Sequence, residues 1–492
     1  MIFSSPQFIL LFLPTAFFVY FFLNRIRLIT AGKTWLVAMS LLFYAYWNKA
    51  YLPLLLGSIL FNFMVGRRLA RNRTAMHSRF SQRFVLTFSV IANLALLGYF
   101  KYASFFVSNV DSLLKSHYAI PNVILPLGIS FFTFTQIAYL VDSYRGEVED
   151  YDFINYALFV TFFPHLIAGP ILHHREMMTQ FKSRWTLTTR YRNIVLGLFI
   201  FSIGLFKKVV IADTFAIWAN AGFDGEGALN LFNAWATSLS YTFQLYFDFS
   251  GYCDMAIGAS LLFNIWLPIN FNSPYKALNI QDFWRRWHMT LSRYLRDYLY
   301  IPLGGNRATT GHMYFNIMVT FVLGGLWHGA SWMFIIWGAL HGVALVVHRI
   351  WSGFTIRMPK VLAWLLTFCF VNVTWVFFRA KTLHDARRVL GGMIDVGALL
   401  HFPVDGIPTD NLAWGGPFTD YLLRWLPHGL AANALCFGAI IIALAISSQK
   451  NSFELTISGV NTKKLFGSFV LFCIAMYAAM ATTSTVFLYF NF

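Results

Sequence analysis

The chain has 492 residues, of which 58% are hydrophobic, 19% aromatic and only 12% charged. Soluble globular proteins carry about 25% charged residues, so this composition excludes that class and indicates a polytopic membrane protein. Backbone groups in lipid must bond within the chain, and the long apolar runs therefore predict helices rather than a barrel. The formal net charge of +17 comes from short basic clusters between apolar runs, which fits membrane topology better than nucleic-acid binding.

The four cysteines are scattered through apolar surroundings and form no Cys-x-x-Cys pair. This pattern predicts neither a zinc site nor a disulfide framework, and we expect no metal. We interpret these residues as small buried hydrophobic side chains. They are Cys253, Cys369, Cys436 and Cys473.

The first apolar run, Phe8 to Leu23, has no lysine or arginine before it and three basic residues soon after it. A cleavable signal peptide has the opposite charge order, so we expect a retained first helix with its N-terminus outside the cytoplasm. Trp35 to Trp47 and Leu52 to Gly66 form a predicted hairpin. The basic loop that follows, Arg67 to Arg83, contains no acidic residue and falls on the cytoplasmic side by the same count.

Two later apolar runs are interrupted. Phe153 to Pro170 contains helix breakers and predicts a re-entrant element, and Asn193 to Trp218 contains Lys207 and Lys208 and predicts two short tilted pieces. We expect one all-α domain over residues 1–492 with about ten to thirteen membrane helices. It comprises N-terminal hairpins (1–122), a catalytic core (123–350) and C-terminal helices (351–492) with a polar loop (379–430). The other predicted spans are Phe84 to Phe100, Val123 to Val141, Leu229 to Phe249, Tyr252 to Leu267, Tyr314 to Leu326, Trp332 to Val347, Val361 to Phe378, Ala431 to Ile446 and Leu465 to Met480.

The segment Asn279 to Tyr300 is too charged to span a membrane, but its apolar residues recur at helical spacing and predict one amphipathic helix. The apolar stripe consists of Trp284, Trp287, Leu291, Leu295 and Tyr298. Off the stripe lie Arg285, Arg286, Arg293 and Arg296. These arginines either face lipid phosphates or hold an anionic substrate, because a guanidinium group matches phosphate geometry. The neighbouring His288 favours the second interpretation.

His328 ends an apolar run amid small residues, and an ionisable group inside a membrane is a functional-site hypothesis by default. An imidazole exchanges protons near neutral pH, which suits a general base for acyl transfer; the alternative is a histidine that bonds a neighbouring helix carbonyl. His341 and His348 are weaker, structural or supporting candidates. Asp248, with Gln244 and Asp254, either orients a histidine, lines a polar cavity or pairs with an arginine, and we prefer the structural role. No Gly-x-Ser-x-Gly motif is present, so direct transfer is favoured over a serine intermediate.

Five motifs occur in the order typical of one family, and they extend over almost the whole chain. They are Leu125 to Phe134, Phe162 to Ile171, Tyr246 to Gly258, Phe283 to Ser292 and Gly325 to Ala330. The chain resembles the membrane-bound O-acyltransferases, in particular the bacterial alginate O-acetylation branch, to which the peptidoglycan O-acetylation and D-alanyl teichoic acid transfer proteins are related. His165 departs from the pattern, where glutamine is expected, and Cys253 replaces the usual serine.

The resemblance implies that His328 is the catalytic histidine and His288 the second family histidine, on the cytoplasmic side. We expect the substrate to be held by residues around them: Arg285, Arg286, Trp284, Trp287, Asp248 and Trp327. The family fold surrounds a central tunnel in the bacterial inner membrane, with re-entrant and amphipathic helices beside the membrane helices.

The expected reaction moves acetyl from cytoplasmic acetyl-CoA across the membrane for O-acetylation of an exported polysaccharide such as alginate. No bound cofactor is expected, since acetyl-CoA is the donor substrate. The expected partners are the lipid bilayer and a periplasmic acetyltransferase or acetyl carrier of a polysaccharide modification complex, and no nucleic acid.

Two other functions remain open from the residues. A transporter of acyl or polysaccharide units would share the polytopic build, although the internal repeat typical of transporters is not visible. A haem-binding membrane protein would use His288, His328 or His341 as axial ligands.

Overall fold

The structure, a computed structural model, describes residues 1–74, 79–115, 124–148, 152–167, 169–307, 309–354, 358–397, 428–481 and 488. Regular structure in these ranges is entirely helical, which confirms the all-α prediction. Of the predicted polar loop (379–430), residues 398–427 lie outside the described ranges.

The α-helices of the described residues are α1 (Leu13–Arg25), α2 (Ile29–Ala45), α3 (Leu52–Thr74), α4 (Arg79–Leu97), α5 (Ala103–Leu114), α6 (Ile129–Arg145), α7 (Phe153–Thr161), α8 (Phe163–Leu166), α9 (His174–Lys182), α10 (Tyr191–Phe206), α11 (Asp213–Asp224), α12 (Leu231–Leu262), α13 (Ile280–Arg286), α14 (Met289–Leu295), α15 (Thr310–His328), α16 (Trp332–Trp351), α17 (Lys360–Arg379), α18 (Leu383–Met393), α19 (His428–Ser448), α20 (Ser452–Ile457) and α21 (Thr462–Ala481). Wider π-helical turns occur at Phe8–Phe12, Gly98–Tyr102, Lys207–Ala212 and Arg296–Tyr300. Short 3-10 turns occur at Lys49–Tyr51, Arg184–Leu187, Pro274–Lys276 and Gly305–Arg307.

Within the described ranges, seven helical segments are long and apolar enough to cross a membrane, so the protein is a multi-pass membrane protein. They are Phe8–Arg25, Lys49–Ala70, Ser81–Leu114, Tyr191–Asp224, Trp332–Trp351, Lys360–Arg379 and Thr462–Ala481. The sequence-based count of ten to thirteen also included α2 and α6, which are shorter, and α12 and α15, which carry polar side chains such as Gln244 and His328. Polar helices of this kind are stable at membrane depth where protein surrounds them.

The described residues form two compact units. One comprises Met1–Phe201 with Met255–Pro268, and the other comprises Ser202–Asp254 with Ile269–Phe492. The division at residues 122 and 350 came from hydropathy alone and stays a prediction. Every residue discussed below as a candidate for catalysis lies in the second unit.

The first unit contains a buried amide cluster between α3, α4 and α6. Nδ2 of Asn62 donates to Oε1 of Gln136 (2.7 Å) and to Oδ1 of Asn93 (3.1 Å), and Nδ2 of Asn93 donates to Oδ1 of Asn62 (2.8 Å). Amides that bond one another in apolar surroundings tie helices together. In the same unit, the predicted broken segment contains α7, the non-helical residue Phe162 (φ −47°, ψ 111°) and the four-residue α8.

In the second unit, two sequence-based predictions about Asp248 and its surroundings are wrong. Leu229 to Phe249 and Tyr252 to Leu267 were expected as separate spans, but one continuous helix, α12, covers Leu231–Leu262. Its carboxylates do not end the helix, because Lys208 Nζ lies 2.9 Å from Asp248 Oδ1 and Lys207 Nζ lies 2.7 Å from Asp254 Oδ2. The lysines do not divide their own segment either, since they occupy a π-helical turn between α10 and α11.

The predicted single amphipathic helix over Asn279 to Tyr300 is also wrong. Two seven-residue helices, α13 and α14, are followed by the π-helical turn Arg296–Tyr300. The helix breaks because Trp287 is extended (φ −99°, ψ 128°) and His288 is left-handed (φ 45°, ψ 52°). A left-handed residue without glycine's freedom costs about 1–2 kcal/mol, so the surrounding contacts must impose this conformation.

Candidate active site

His328 is the last residue of α15, and a tight connection to α16 fixes its position. Gly329 is extended, and a Cβ at this position would overlap the ring of Phe334. Ser331 then caps α16, since its hydroxyl accepts a hydrogen bond from the Met333 amide (3.2 Å). His328 is only 4% exposed, so the helix end places an imidazole inside the protein.

Aromatic rings surround the imidazole of His328. The centroid of Trp327 lies 4.9 Å away, that of Phe378 5.1 Å and that of Trp337 5.2 Å, with the Trp337 ring nearly perpendicular at 89°. The ring of His288 lies 6.4 Å from it, centroid to centroid. Two imidazoles at this distance, shielded from water, are close enough to act on neighbouring atoms of one bound group.

His288 is fully buried, at 0% exposure, as the N-cap residue of α14. The ring of Phe249 stands perpendicular to it at 4.8 Å, and its Nδ1 lies 3.3 Å from Oδ1 of Asn270. Desolvation by burial lowers the pKa of His288 to about 3, so the imidazole is neutral at pH 7. The sequence suggested that His288 shares a basic surface with the arginines, whereas the structure places it beside His328.

The tryptophans predicted to bind substrate differ in their surroundings. Trp287 packs in the core, with Trp375 at 4.9 Å and Phe283 stacked on it at 5.6 Å. Trp327 lies against both histidines, 6.2 Å from His288 and 4.9 Å from His328. The structure therefore places Trp327 against the histidine pair, whereas Trp287 packs against other aromatic rings of the core.

Trp284 and His341 form a structural hydrogen-bond chain. The indole Nε1 of Trp284 donates to Nδ1 of His341 (3.2 Å), and Nε2 of His341 lies 3.0 Å from Oγ1 of Thr374. The Thr374 hydroxyl donates to the carbonyl of Val371 (2.8 Å) and therefore accepts from His341. Both ring nitrogens of His341 are engaged, which argues against this residue as a haem ligand.

Arg285 and Arg286 are not gathered around the histidines. The side chain of Arg285 is exposed, and Nε of Arg286 pairs with Asp282 Oδ1 at 3.0 Å. Nη1 of Arg286 also donates to the carbonyl of Asn272 (3.3 Å), so this guanidinium connects α13 to the segment that precedes it. Asp248 is likewise paired: besides Lys208, its Oδ2 accepts from the Leu488 amide at 3.0 Å.

A cavity of about 710 Å³ lies between α13, α14, α15 and α16. Its polar lining includes Arg296, His348 and Arg349, and Trp284 forms part of its wall. Neither His288 nor His328 lines it, but Trp284 contacts Trp337 (5.8 Å), which contacts His328. The sequence signalled Arg349 only as a basic residue in the last turn of a helix, and this signal was missed.

Comparison with known families identifies the family of the chain. The family described as MBOAT, membrane-bound O-acyltransferase family, matches residues 18–383, a range that contains both histidines. The chain belongs to this family. As a membrane-bound O-acyltransferase it is an enzyme, and its family excludes the transporter and haem-protein alternatives as primary functions.

Similar proteins include bacterial enzymes named for the modification of cell-envelope or exported polymers. The peptidoglycan O-acetyltransferase of Helicobacter pylori is 49% identical, and the match covers 100% of this chain and 98% of the relative. The probable alginate O-acetylase AlgI of Pseudomonas aeruginosa is 41% identical over 81% of this chain and 75% of the relative. The teichoic acid D-alanyltransferase of Bacillus subtilis is 28% identical over 55% of this chain and 72% of the relative.

Proposed function

We propose that this membrane-bound O-acyltransferase transfers acetyl groups from cytoplasmic acetyl-CoA to a polysaccharide of the bacterial cell envelope. The buried pair of His288 and His328, with ring centroids 6.4 Å apart, is the observation that carries the proposal. The protein lies in the inner membrane with its N-terminus in the periplasm. The charge pattern around the first helix supports this orientation.

Peptidoglycan is the acceptor polymer that the similarities favour. The match to the Helicobacter pylori peptidoglycan O-acetyltransferase extends over the whole chain, whereas the matches to alginate O-acetylases are lower in identity and leave part of the chain uncovered. Alginate is the second candidate. In either case the immediate acceptor is a periplasmic acetyltransferase or acetyl carrier, which passes the acetyl group on to the polymer, and no bound cofactor takes part.

His328 acts as the general base. Its imidazole removes the proton from the acceptor hydroxyl or thiol, whose oxygen or sulfur attacks the acetyl carbonyl of the thioester. The carbon–sulfur bond to CoA then breaks, and the leaving thiolate receives the proton from His328. Neutral His288 accepts a hydrogen bond from the donor and holds it in line for this attack.

The cavity beside α16 holds the anionic part of the donor. Its guanidinium groups, Arg296 and Arg349, match phosphate geometry, and Nε of Arg296 is already oriented by Asp297 Oδ1 at 2.7 Å. Trp284 lies between this cavity and Trp337, one of the aromatic residues that surround His328. The acyl end of the donor therefore has to reach past Trp284 to the histidine pair.

Replacing His328 tests the proposal in cells. His328→Ala is expected to reduce base-labile acetate on purified peptidoglycan by at least about 100-fold, because a positioned general base contributes about 10²–10⁴-fold. His312→Ala is the matched control: His312 is on the same helix, is exposed, and should leave acetylation normal. Near-normal acetylation by His328→Ala, at equal protein in the membrane, would refute the assignment.

A further inference from the structure

Asn270 lies between α12 and α13, is 1% exposed, and bonds the first turn of α14. Its main-chain carbonyl accepts from the Met289 amide (3.0 Å). Its side-chain Oδ1 accepts from the Thr290 amide (3.1 Å) and the Thr290 hydroxyl (2.8 Å). The first amides of a helix have no partner within it, and here a residue from another segment satisfies two of them. The N-cap residue itself, His288, makes no capping bond with its side chain.

These contacts determine which way the amide of Asn270 is turned. A backbone amide can only donate, so the Asn270 atom that faces the Thr290 amide must be the carbonyl oxygen. The opposite atom, Nδ2, lies 3.6 Å from Sγ of Cys253, which is a weak acceptor. The orientation of the side chain is therefore fixed by neighbours that do not include a histidine.

The same oxygen lies 3.3 Å from Nδ1 of His288. An amide oxygen only accepts, so Nδ1 must be the nitrogen that carries the proton of the neutral imidazole. The lone pair is then on Nε2. Partners of this kind set the tautomer of functional histidines in proteins.

We propose that Asn270 is a positioning residue that fixes His288 in the Nδ1–H tautomer and in its left-handed backbone conformation. Nε2 of His288 is thereby the hydrogen-bond acceptor for an N–H group of the bound donor. This second statement rests on the proposed function, because the pantetheine arm of acetyl-CoA supplies amide N–H donors. The first statement concerns the protein alone.

The tautomer is measured directly by nitrogen NMR of full-length protein labelled with ¹⁵N-histidine in lipid nanodiscs. The His288 signals are identified by their loss in His288→Gln. Wild-type protein is expected to show protonated Nδ1 and unprotonated Nε2, and Asn270→Asp should keep this pattern because it retains an acceptor oxygen. Asn270→Ala should lose it. Asn372→Ala is the matched control, since Asn372 is fully buried in the same unit and bonds Thr242 (2.7 Å).

Kinetics provide the second measurement. Asn270→Ala is expected to raise KM for acetyl-CoA about tenfold with a smaller change in kcat, because the hydrogen bond that orients the His288 imidazole is lost. Asn270→Asp should restore most of the affinity. Asn372→Ala, which removes the acceptor of the Thr242 hydroxyl, should leave KM unchanged.

Two results would overturn the proposal: protonated Nε2 in wild-type His288, or an unchanged tautomer in Asn270→Ala. The NMR measurement needs no substrate, so it separates this proposal from the proposed function. A tautomer that depends on Asn270 in a protein that does not use acetyl-CoA would uphold the positioning role and refute the donor. An unchanged tautomer in an active acetyltransferase would refute only the role of Asn270.

Discussion

The indole of Trp284 donates a hydrogen bond to His341 and also forms part of the cavity wall. Trp284→Phe keeps an aromatic ring but deletes the pyrrole N–H that donates to His341, whose Nδ1 is left buried without this donor. Loss of a partner for a buried acceptor costs about 1–3 kcal/mol, so the melting temperature in detergent should fall. Trp332→Phe is the control, because Trp332 is 57% exposed. Equal melting temperatures for the two variants would show that the His341 chain does not stabilise the fold.

The sequence suggested that Arg285 binds the anionic donor, whereas the structure places Arg349 on the cavity. Substituting each arginine distinguishes the two proposed donor sites. Arg349→Ala should raise KM for acetyl-CoA about 10-fold or more, since a hydrogen bond to a charged group contributes about 1.5–3 kcal/mol. Arg285→Ala should change KM little, because Arg285 does not line the cavity. Steady-state kinetics would give a larger increase in KM for Arg285→Ala than for Arg349→Ala if the donor binds along the exposed face of α13.

For single residues, the sequence drew attention to His328 because an imidazole among glycines at the end of an apolar run is unusual, and its catalytic role stays a prediction. It did not predict the burial of His288 beside it. That burial follows from a left-handed residue held by Asn270, and a turn of this kind between non-glycine residues has no sequence signature. Arg349 was missed for a similar reason: its role depends on which helices surround the cavity.

Between α10, α11 and α12, charged side chains inside apolar segments compensate one another. Lys208 lies 2.6 Å from Asp213 Oδ1 and 2.9 Å from Asp248 Oδ1, with only 5% of its side chain exposed. A Cβ on Gly251 of α12 would lie 2.7 Å from the Gly204 carbonyl, so the helices cross closely enough for these pairs to form. The sequence shows the charged residues but not which of them pair. For this reason we expected helix breaks at Lys207 and near Asp248, where the structure has a π-helical turn and the continuous helix α12.

Lys208→Met is therefore expected to be strongly destabilising. Removing one partner of a buried ion pair costs about 3–5 kcal/mol, because the carboxylates stay buried without a cation. Adding Asp213→Asn and Asp248→Asn should recover much of the loss. Lys381→Met is the control: its side chain is 72% exposed and its pair with Asp224 is worth at most about 1 kcal/mol. Thermal unfolding in detergent measures both variants. Equal decreases in melting temperature for Lys208→Met and Lys381→Met would contradict the stabilising role of the buried ion pairs.

For the whole molecule, composition and hydropathy were sufficient to predict an all-α multi-pass membrane protein, because lipid leaves the backbone few alternatives. The number of spans was less predictable, since α12 and α15 are apolar helices that carry buried polar side chains and are not among the seven candidate spans of the described residues. The orientation stays a prediction. So does the tunnel that the family resemblance implies.

Cysteine labelling tests the orientation. In a Cys473→Ala background, which removes the exposed native cysteine, Gln7→Cys should react with an impermeant maleimide on intact spheroplasts. Arg68→Cys, an exposed position near the C-terminal end of α3 in the basic segment assigned to the cytoplasm, should react only after the membrane is permeabilised. The reverse pattern would place the N-terminus in the cytoplasm.

Transfer of label from radioactive acetyl-CoA across a membrane tests the central claim most directly. Inside-out vesicles that contain the full envelope machinery expose the cytoplasmic face to added donor. Wild-type protein should place labelled acetyl on luminal polysaccharide at a rate at least about 100-fold above that of His328→Ala, and His312→Ala should match wild type. Equal incorporation by wild type and His328→Ala, at equal protein per vesicle, would contradict the account.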